Sequence, residues 1–271
     1  MKVVVFTIVT FLAIVEPLPA CPLKLEKTSV QGALLVGKAP VGSQVRIDDK
    51  ITRISNKGYF LVGFGRNAKS RKKVTAFIPG GRRIDCIINV KKRRYKVERI
   101  DGLLRRMVVP SSEDIKRIRV DNAAIAKVRR LNTFRNDFLV KFKWPLRGRI
   151  SGVFGSQRIL NGKPKRPHNG VDIAAPEGTK IHAPAPGVVV LSHPGMFYTG
   201  KTLMLDHGHG LTSVYVHMSA ISVKLGQQVQ VGDKIGEVGK TGRATGSHLH
   251  WGVSLFSTHL DPELLAGKMY N

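Results

Sequence analysis

The chain has 271 residues, 42% of them apolar, which allows a folded core and excludes wholesale disorder. Its 45 Lys and Arg against 18 Asp and Glu give a formal charge of +27, a field that draws anionic polymers and surfaces. Charge alone does not choose among nucleic acid, anionic lipid and anionic cell wall.

Lys2 precedes a mostly apolar run from Val3 to Val15, closed by Glu16 and Pro17. The run is shorter than the roughly 20 residues that span a bilayer. With the small residue Ala20 it has the form of a secretory signal over residues 1–20. Export places the protein in the periplasm or cell envelope and argues against nucleic acid as its partner. The two cysteines are Cys21 and Cys86. An exported chain can join them in a disulfide. Leu18-Pro19-Ala20-Cys21 also resembles a lipoprotein signal, with Pro19 a poor fit, so a lipid anchor at Cys21 stands beside the disulfide as an alternative.

Residues 21–98 carry short apolar runs separated by turn residues. Gly32 to Gly37, Tyr59 to Phe64, Lys73 to Ile78 and Ile84 to Val90 are candidate strands, with Asn56-Lys57-Gly58 and Pro79-Gly80-Gly81 as turns. The pattern predicts a small β-sandwich-like domain. Residues 99–143 form a basic linker; Lys91 to Arg94 just before it and Arg105-Arg106 within it are dense positive runs, read as solvated or as a foothold on an anionic envelope surface. Within it, Ser111, Glu113 and Asp114 supply a helix start. Ile115, Ile118, Ile125 and Val128 fall on one face of a helix expected over 112–133. From Trp144 to about 262 glycine is frequent, and Val188 to Leu191, Thr202 to Leu205, Thr212 to Val216 and Leu249 to Leu255 are expected strands of an antiparallel β domain. Residues 263–271 are a tail. The fold class is mainly β.

All nine histidines lie between His168 and His259. His168 and Asp172 are four apart, an even spacing that keeps both on one face of a strand. His248 and His250 share a strand face opposite Leu249, Trp251, Val253 and Leu255, so Trp251 belongs to the core and the two imidazoles to a groove. Tyr215 and His217 are expected on one face, opposite Val214 and Val216. An aspartate and several imidazoles around one groove suit zinc. A catalytic zinc keeps three protein ligands and one position for water, and two further imidazoles can take the water's proton and stabilise an oxyanion. His-Glu-x-x-His is absent, which argues against a helical zinc peptidase. His182, His193, His207, His209 and His259 read as surface residues, and Asp206 and Asp261 as similarly unremarkable.

The stretch from His168 through Thr179, its continuation Ala183 to Val190, Gly208-His209-Gly210, Tyr215-Val216-His217, Gly232 to Gly236 and Gly239 to His250 together resemble the LytM/lysostaphin family of peptidoglycan endopeptidases, the M23 metallopeptidases. The resemblance covers 144–262 with its motifs in order. It implies an antiparallel sheet with an open groove, one Zn2+ per chain held by His168, Asp172 and His250, and catalysis by His217 and His248. The implied substrate is the peptide cross-link of peptidoglycan. Ser247 departs from the pattern, which often has Pro there. Some relatives are non-catalytic scaffolds that regulate other wall hydrolases; they typically lack a ligand, and none is missing here. A metal with a purely structural role is a third reading, disfavoured because structural zinc is usually closed by four ligands.

Overall fold

The computed structural model describes residues 23–26 and 28–269. The expected signal, the lipid anchor and the Cys21 end of the disulfide lie outside these residues. The fold is mainly β, built from open sheets.

The N-terminal strands form a five-stranded sheet in the order Thr28–Val30, Arg83–Lys91, Arg71–Phe77, Gln44–Ile47, Lys50–Thr52. A two-stranded sheet, Leu34–Lys38 with Tyr59–Gly63, accompanies it. Strand Arg83–Lys91 shows why the chain folds this way: Ile84, Cys86, Ile88 and Val90 are buried, and every residue between them is exposed. They meet Val45, Phe60, Val62, Phe64 and Val74 in one apolar cluster. Leu61, next to Phe60, instead joins the core of the C-terminal half. The Arg93 guanidinium donates to Asp261 at 2.6 Å, and Arg66 donates to the Gly155 carbonyl at 2.6 Å. The two halves are therefore packed together.

The segment expected as linker is more structured than its composition suggests. Residues Val97–Ile100 form a strand parallel to Gln157–Leu160, and Lys163–Pro164 completes that three-stranded sheet. The helix begins as expected, with a reciprocal capping box between Ser111 and Asp114, but it spans Ser112–Arg129 and stops short of 133. Residues beyond it are recruited elsewhere: Asn132 accepts from Arg53, and the Thr133 hydroxyl donates to Asp206 while its carbonyl accepts from the His209 amide. The buried stripe also differs from the expected one. It runs through Asp114, Asp121 and Val128, with Ile118, Ala124 and Ile125 half-buried, and Ile115 is exposed. The two acids are kept inside by partners: Arg106 donates to Asp114 at 2.5 Å and the Phe197 amide to Asp121 at 2.7 Å.

The C-terminal half holds an antiparallel sheet in the order Gln228–Val229, Gly187–Met196, Gly200–Gly208, Leu211–Met218, His248–Leu255, Val171–Ala174, Arg149–Gly152, with Thr258–Leu260 paired to His248–Leu255. One face carries Leu203, Leu205, Tyr215, Leu249, Trp251 and Val253 into the main core. Trp251 is fully buried, as the alternation predicts. On the opposite face, Met204, Val214 and Val216 pack with Leu191, Met196 and the helix residue Val128. A smaller sheet of Lys180–His182, Lys234–Glu237 and Ala220–Ile221 flanks the first. The expected tail opens with a short helix, Pro262–Ala266, and the Trp144 indole donates to the Gly267 carbonyl at 2.9 Å.

His207 and His209 are not surface residues. Both are buried, because the segment 137–142 folds over their turn. Phe138 lies 4.7 Å from the His209 ring and Phe142 lies 5.0 Å from the His207 ring. His207 spans the Pro186 carbonyl and the Ser213 hydroxyl, at 2.6 and 2.8 Å. Asp206 and Asp261 are buried as well and act as ties, Asp206 to Thr133 and Asp261 to Arg93.

Candidate metal centre and its groove

Four neighbouring strands frame the site, and His168 comes from the irregular segment before Val171–Ala174 rather than from a strand shared with Asp172. Asp172 pairs with His250 and Gly152 across the neighbouring strands, and Val216 pairs with His250 from the other side. Directly paired residues share a sheet face, so Asp172, His250 and Val216 lie opposite Trp251 and Tyr215. Two glycines permit the close approach. A Cβ on Gly152 would stand 2.6 Å from Asp172 Oδ2, and one on Gly170 would stand 2.4 Å from the Trp251 carbonyl oxygen.

His168, Asp172 and His250 converge on one point. His168 Nε2 is 3.0 Å from Asp172 Oδ1 and 2.8 Å from His250 Nδ1, and His250 Nδ1 is 2.8 Å from Asp172 Oδ1. Each residue offers one ligand atom to the shared position. A tetrahedral zinc with bonds of about 2.0–2.2 Å separates its ligands by about 3.3 Å, so side-chain shifts of a few tenths of an ångström admit the ion. The donor set of two imidazole nitrogens and one carboxylate oxygen is one that zinc takes. His168 Nδ1 donates to the Val153 carbonyl at 3.0 Å, which turns the lone pair of Nε2 toward the cluster in the neutral ring. The residues present therefore fit zinc.

Burial alone would raise the Asp172 pKa, yet the facing His168 and His250 hold the carboxyl well below the usual carboxylate range. Arg158 ion-pairs with the other oxygen, Oδ2. Burial pushes His250 down to about 4, against the pull of Asp172. The ring is thus neutral at pH 7, the form a metal ligand needs.

His217 and His248 stand beside the cluster. Their ring centroids are 4.7 Å apart, and His217 lies 6.5 Å from His250. His217 Nδ1 donates to the Thr241 carbonyl at 2.7 Å and His248 Nδ1 to the Gly246 carbonyl at 2.8 Å, leaving each neutral ring an Nε2 lone pair. His248 Nε2 is 4.0 Å from Asp172 Oδ1. Burial, then the neighbouring His248, pushes His217 down to about 3. His217 reaches this place by a route the alternation does not predict. Tyr215 points into the main core, and strict alternation would send His217 after it. His217 instead has φ +63°, a left-handed backbone uncommon outside glycine, and that kink brings its ring beside His248.

Sequence reasoning missed Arg158 and Glu98. Arg158 Nε is 3.5 Å from Glu98 Oε2, and Glu98 comes from the strand Val97–Ile100, which straddles the expected boundary between β domain and linker. The groove beside the cluster has a volume of about 380 Å³, and that strand forms one of its walls.

Residues 166–262 match the sequence profile of peptidase family M23. A crystal structure of an M23 peptidase candidate from Pseudomonas aeruginosa superposes with a TM-score of 0.68 at 30% identity, covering 89% of this chain and 96% of that one. The chain belongs to peptidase family M23. Among curated proteins it is 44% identical over 116 residues to the peptidoglycan DD-endopeptidase ShyA of Vibrio cholerae, covering 41% of this chain and 25% of that protein. It is 38% identical over 118 residues to the DD-carboxypeptidase/endopeptidase Mpg of Neisseria meningitidis, covering 44% and 27%. The match thus spans about a quarter of the length of these curated relatives.

Proposed function

We propose that this protein is a zinc-dependent endopeptidase that hydrolyses the peptide cross-links of bacterial peptidoglycan. The observation that carries the reading is a three-donor cluster with two further imidazoles beside it along an open groove. His168, Asp172 and His250 hold the metal. Bound zinc supplies a Lewis acid and a water whose pKa falls to about 7. His217 and His248 carry the protein's share of the chemistry. Their Nδ1 atoms are tied to backbone carbonyls, so each ring presents Nε2 in a fixed direction. One accepts the proton of the attacking water. That proton passes to the amine nitrogen as the peptide bond breaks, while the other imidazole, protonated at Nε2 from solvent before the step, donates to the oxygen of the carbonyl under attack.

The setting belongs to the same proposal. Residues 1–20 are a signal peptide, and the protein works in the periplasm or elsewhere in the envelope, with Cys21 either lipid-anchored or paired with Cys86. Among the described residues no helix is long and apolar enough to cross a membrane. The basic linker, residues 99–143, offers the enzyme a foothold on an anionic envelope surface, and nucleic acid is not its partner. The intact set of five site residues favours the enzyme over a non-catalytic scaffold.

The test compares the protein with its His248→Ala variant. Both should hold about one zinc per chain, and only the unmodified protein should remove cross-linked muropeptides from purified peptidoglycan. Zinc retention without cleavage by the unmodified protein would point to the scaffold or to a latent enzyme held shut by its N-terminal half, and a digest with residues 144–271 separates the two.

A further inference from the structure

The groove is walled by more than the family-matched segment. The pairing of Val97–Ile100 with Gln157–Leu160 brings Glu98 and Arg99 to its edge. Arg149 lines it from the strand Arg149–Gly152, and Arg243 from the loop before His248. Four guanidinium groups thus border the cavity, against the carboxylates of Glu98 and Asp172. Arg158 engages both of these acids. Arg99, Arg149 and Arg243 are left without a carboxylate partner among the described residues. Arg243 is also held in place: its guanidinium lies 4.3 Å from the Tyr198 ring centroid, and Nη1 donates to the Met107 carbonyl at 3.3 Å. A guanidinium with a planar fork of donors and no acid of its own is suited to bind a carboxylate in two-point fashion. Three of them come from separate chain segments and share one groove with the metal cluster.

We propose that Arg99, Arg149 and Arg243 are specificity-determining residues that bind free carboxylates of the substrate peptide, so that the groove takes an acidic cross-link in preference to a neutral, amidated or glycine-rich one. The proposal rests on the endopeptidase reading for its substrate, and its binding test does not depend on cleavage.

The probe is a fluorescein-labelled, uncross-linked stem tetrapeptide, prepared once with its carboxyls free and once with them amidated. Binding to the full chain is followed by anisotropy at low and moderate salt. The free acid should bind about fivefold to tenfold more tightly than the amide, as expected for two or three partly exposed ion pairs. In an Arg99→Gln/Arg149→Gln variant that preference should largely vanish while affinity for the amide holds. An Arg99→Lys/Arg149→Lys variant, which keeps the charge but loses the two-point fork, should retain only part of it. Arg119 and Lys127, both exposed on the long helix, provide the control for the general positive field. Equal binding of the two peptides would overturn the proposal, as would an equal loss in an Arg119→Gln/Lys127→Gln variant. Digestion of cross-linked muropeptides by the unmodified protein tests the endopeptidase reading separately.

Discussion

Replacing Gly170 by Ala tests how the site is built without touching a ligand. Gly170 does not use left-handed backbone, so alanine can adopt its conformation and the effect is steric. The added Cβ would lie 2.4 Å from the Trp251 carbonyl oxygen and 2.9 Å from Cε1 and Nε2 of His250. The backbone oxygen belongs to the central strand His248–Leu255 and is not free to swing away. To reach ordinary contact the backbone at residue 170 must part from the strand by about 1 Å, and the His250 ring must give by about 0.5 Å where that shift does not clear it. Overpacking of this kind costs about 1–3 kcal/mol. Because metal ligands tolerate only about 0.2 Å of displacement, zinc affinity should fall about tenfold to a hundredfold. Urea denaturation of the metal-free protein reads the first effect, and zinc titration against a competing chelator reads the second. Gly195→Ala is the control, since a Cβ there meets nothing within 4 Å. A Gly170→Ala protein with unchanged urea midpoint and unchanged zinc affinity would refute the reasoning.

Burial holds His217 and His259 at about 3 and His209 and His250 at about 4, all below the unfolded value near 6.5. The unfolded chain therefore binds protons that the folded one refuses. Stability should be full above about pH 6.5 and fall as pH drops toward 4, by about 1.4 kcal/mol per pH unit for each histidine; urea midpoints of the metal-free protein at pH 7.5 and 5 check this, and a flat profile contradicts it. Arg93→Met should cost about 2 kcal/mol, because Asp261 is 2% exposed and would lose its charged donor, discounted for the 30% exposure of Arg93. A urea midpoint within error of the unmodified protein would show that this bridge does not hold the two halves together.

The site was legible where it depends on local pattern. His248 and His250 alternate with Leu249 and Trp251, and the pleat alone places the first pair on the groove face and the second in the core. Asp172 comes opposite His250 through the register of Val171–Ala174 on His248–Leu255, which no local pattern sets. The alternation alone would carry His217 inward with Tyr215, and φ +63° is what returns its ring to the groove. Nothing in Tyr215-Val216-His217 announces that kink. His207 and His209 misled for a different reason. Their Gly-rich turn has the chemistry of a surface loop, and only the arrival of Phe138 and Phe142 from about 70 residues away buries them. Short-range composition carries no record of which distant segment will cover a turn.

The same limit explains the linker, and there it bears on function. Lys91 to Arg106 is dense in charge, and charge density of that kind ordinarily marks a solvated connection. Val97–Ile100 nevertheless has the alternation of an edge strand, with Glu98 and Ile100 half-buried between exposed Val97 and Arg99. Its partner Gln157–Leu160 is half polar, with only Leu160 buried. Parallel pairing across nearly 60 residues is held by backbone hydrogen bonds and by Arg158 between Glu98 and Asp172, with little apolar signal to reveal it. The result is a division of labour along the chain. The family-matched segment supplies the metal cluster and the two further imidazoles, while the strand before it supplies a wall of the groove and one of its unpaired arginines.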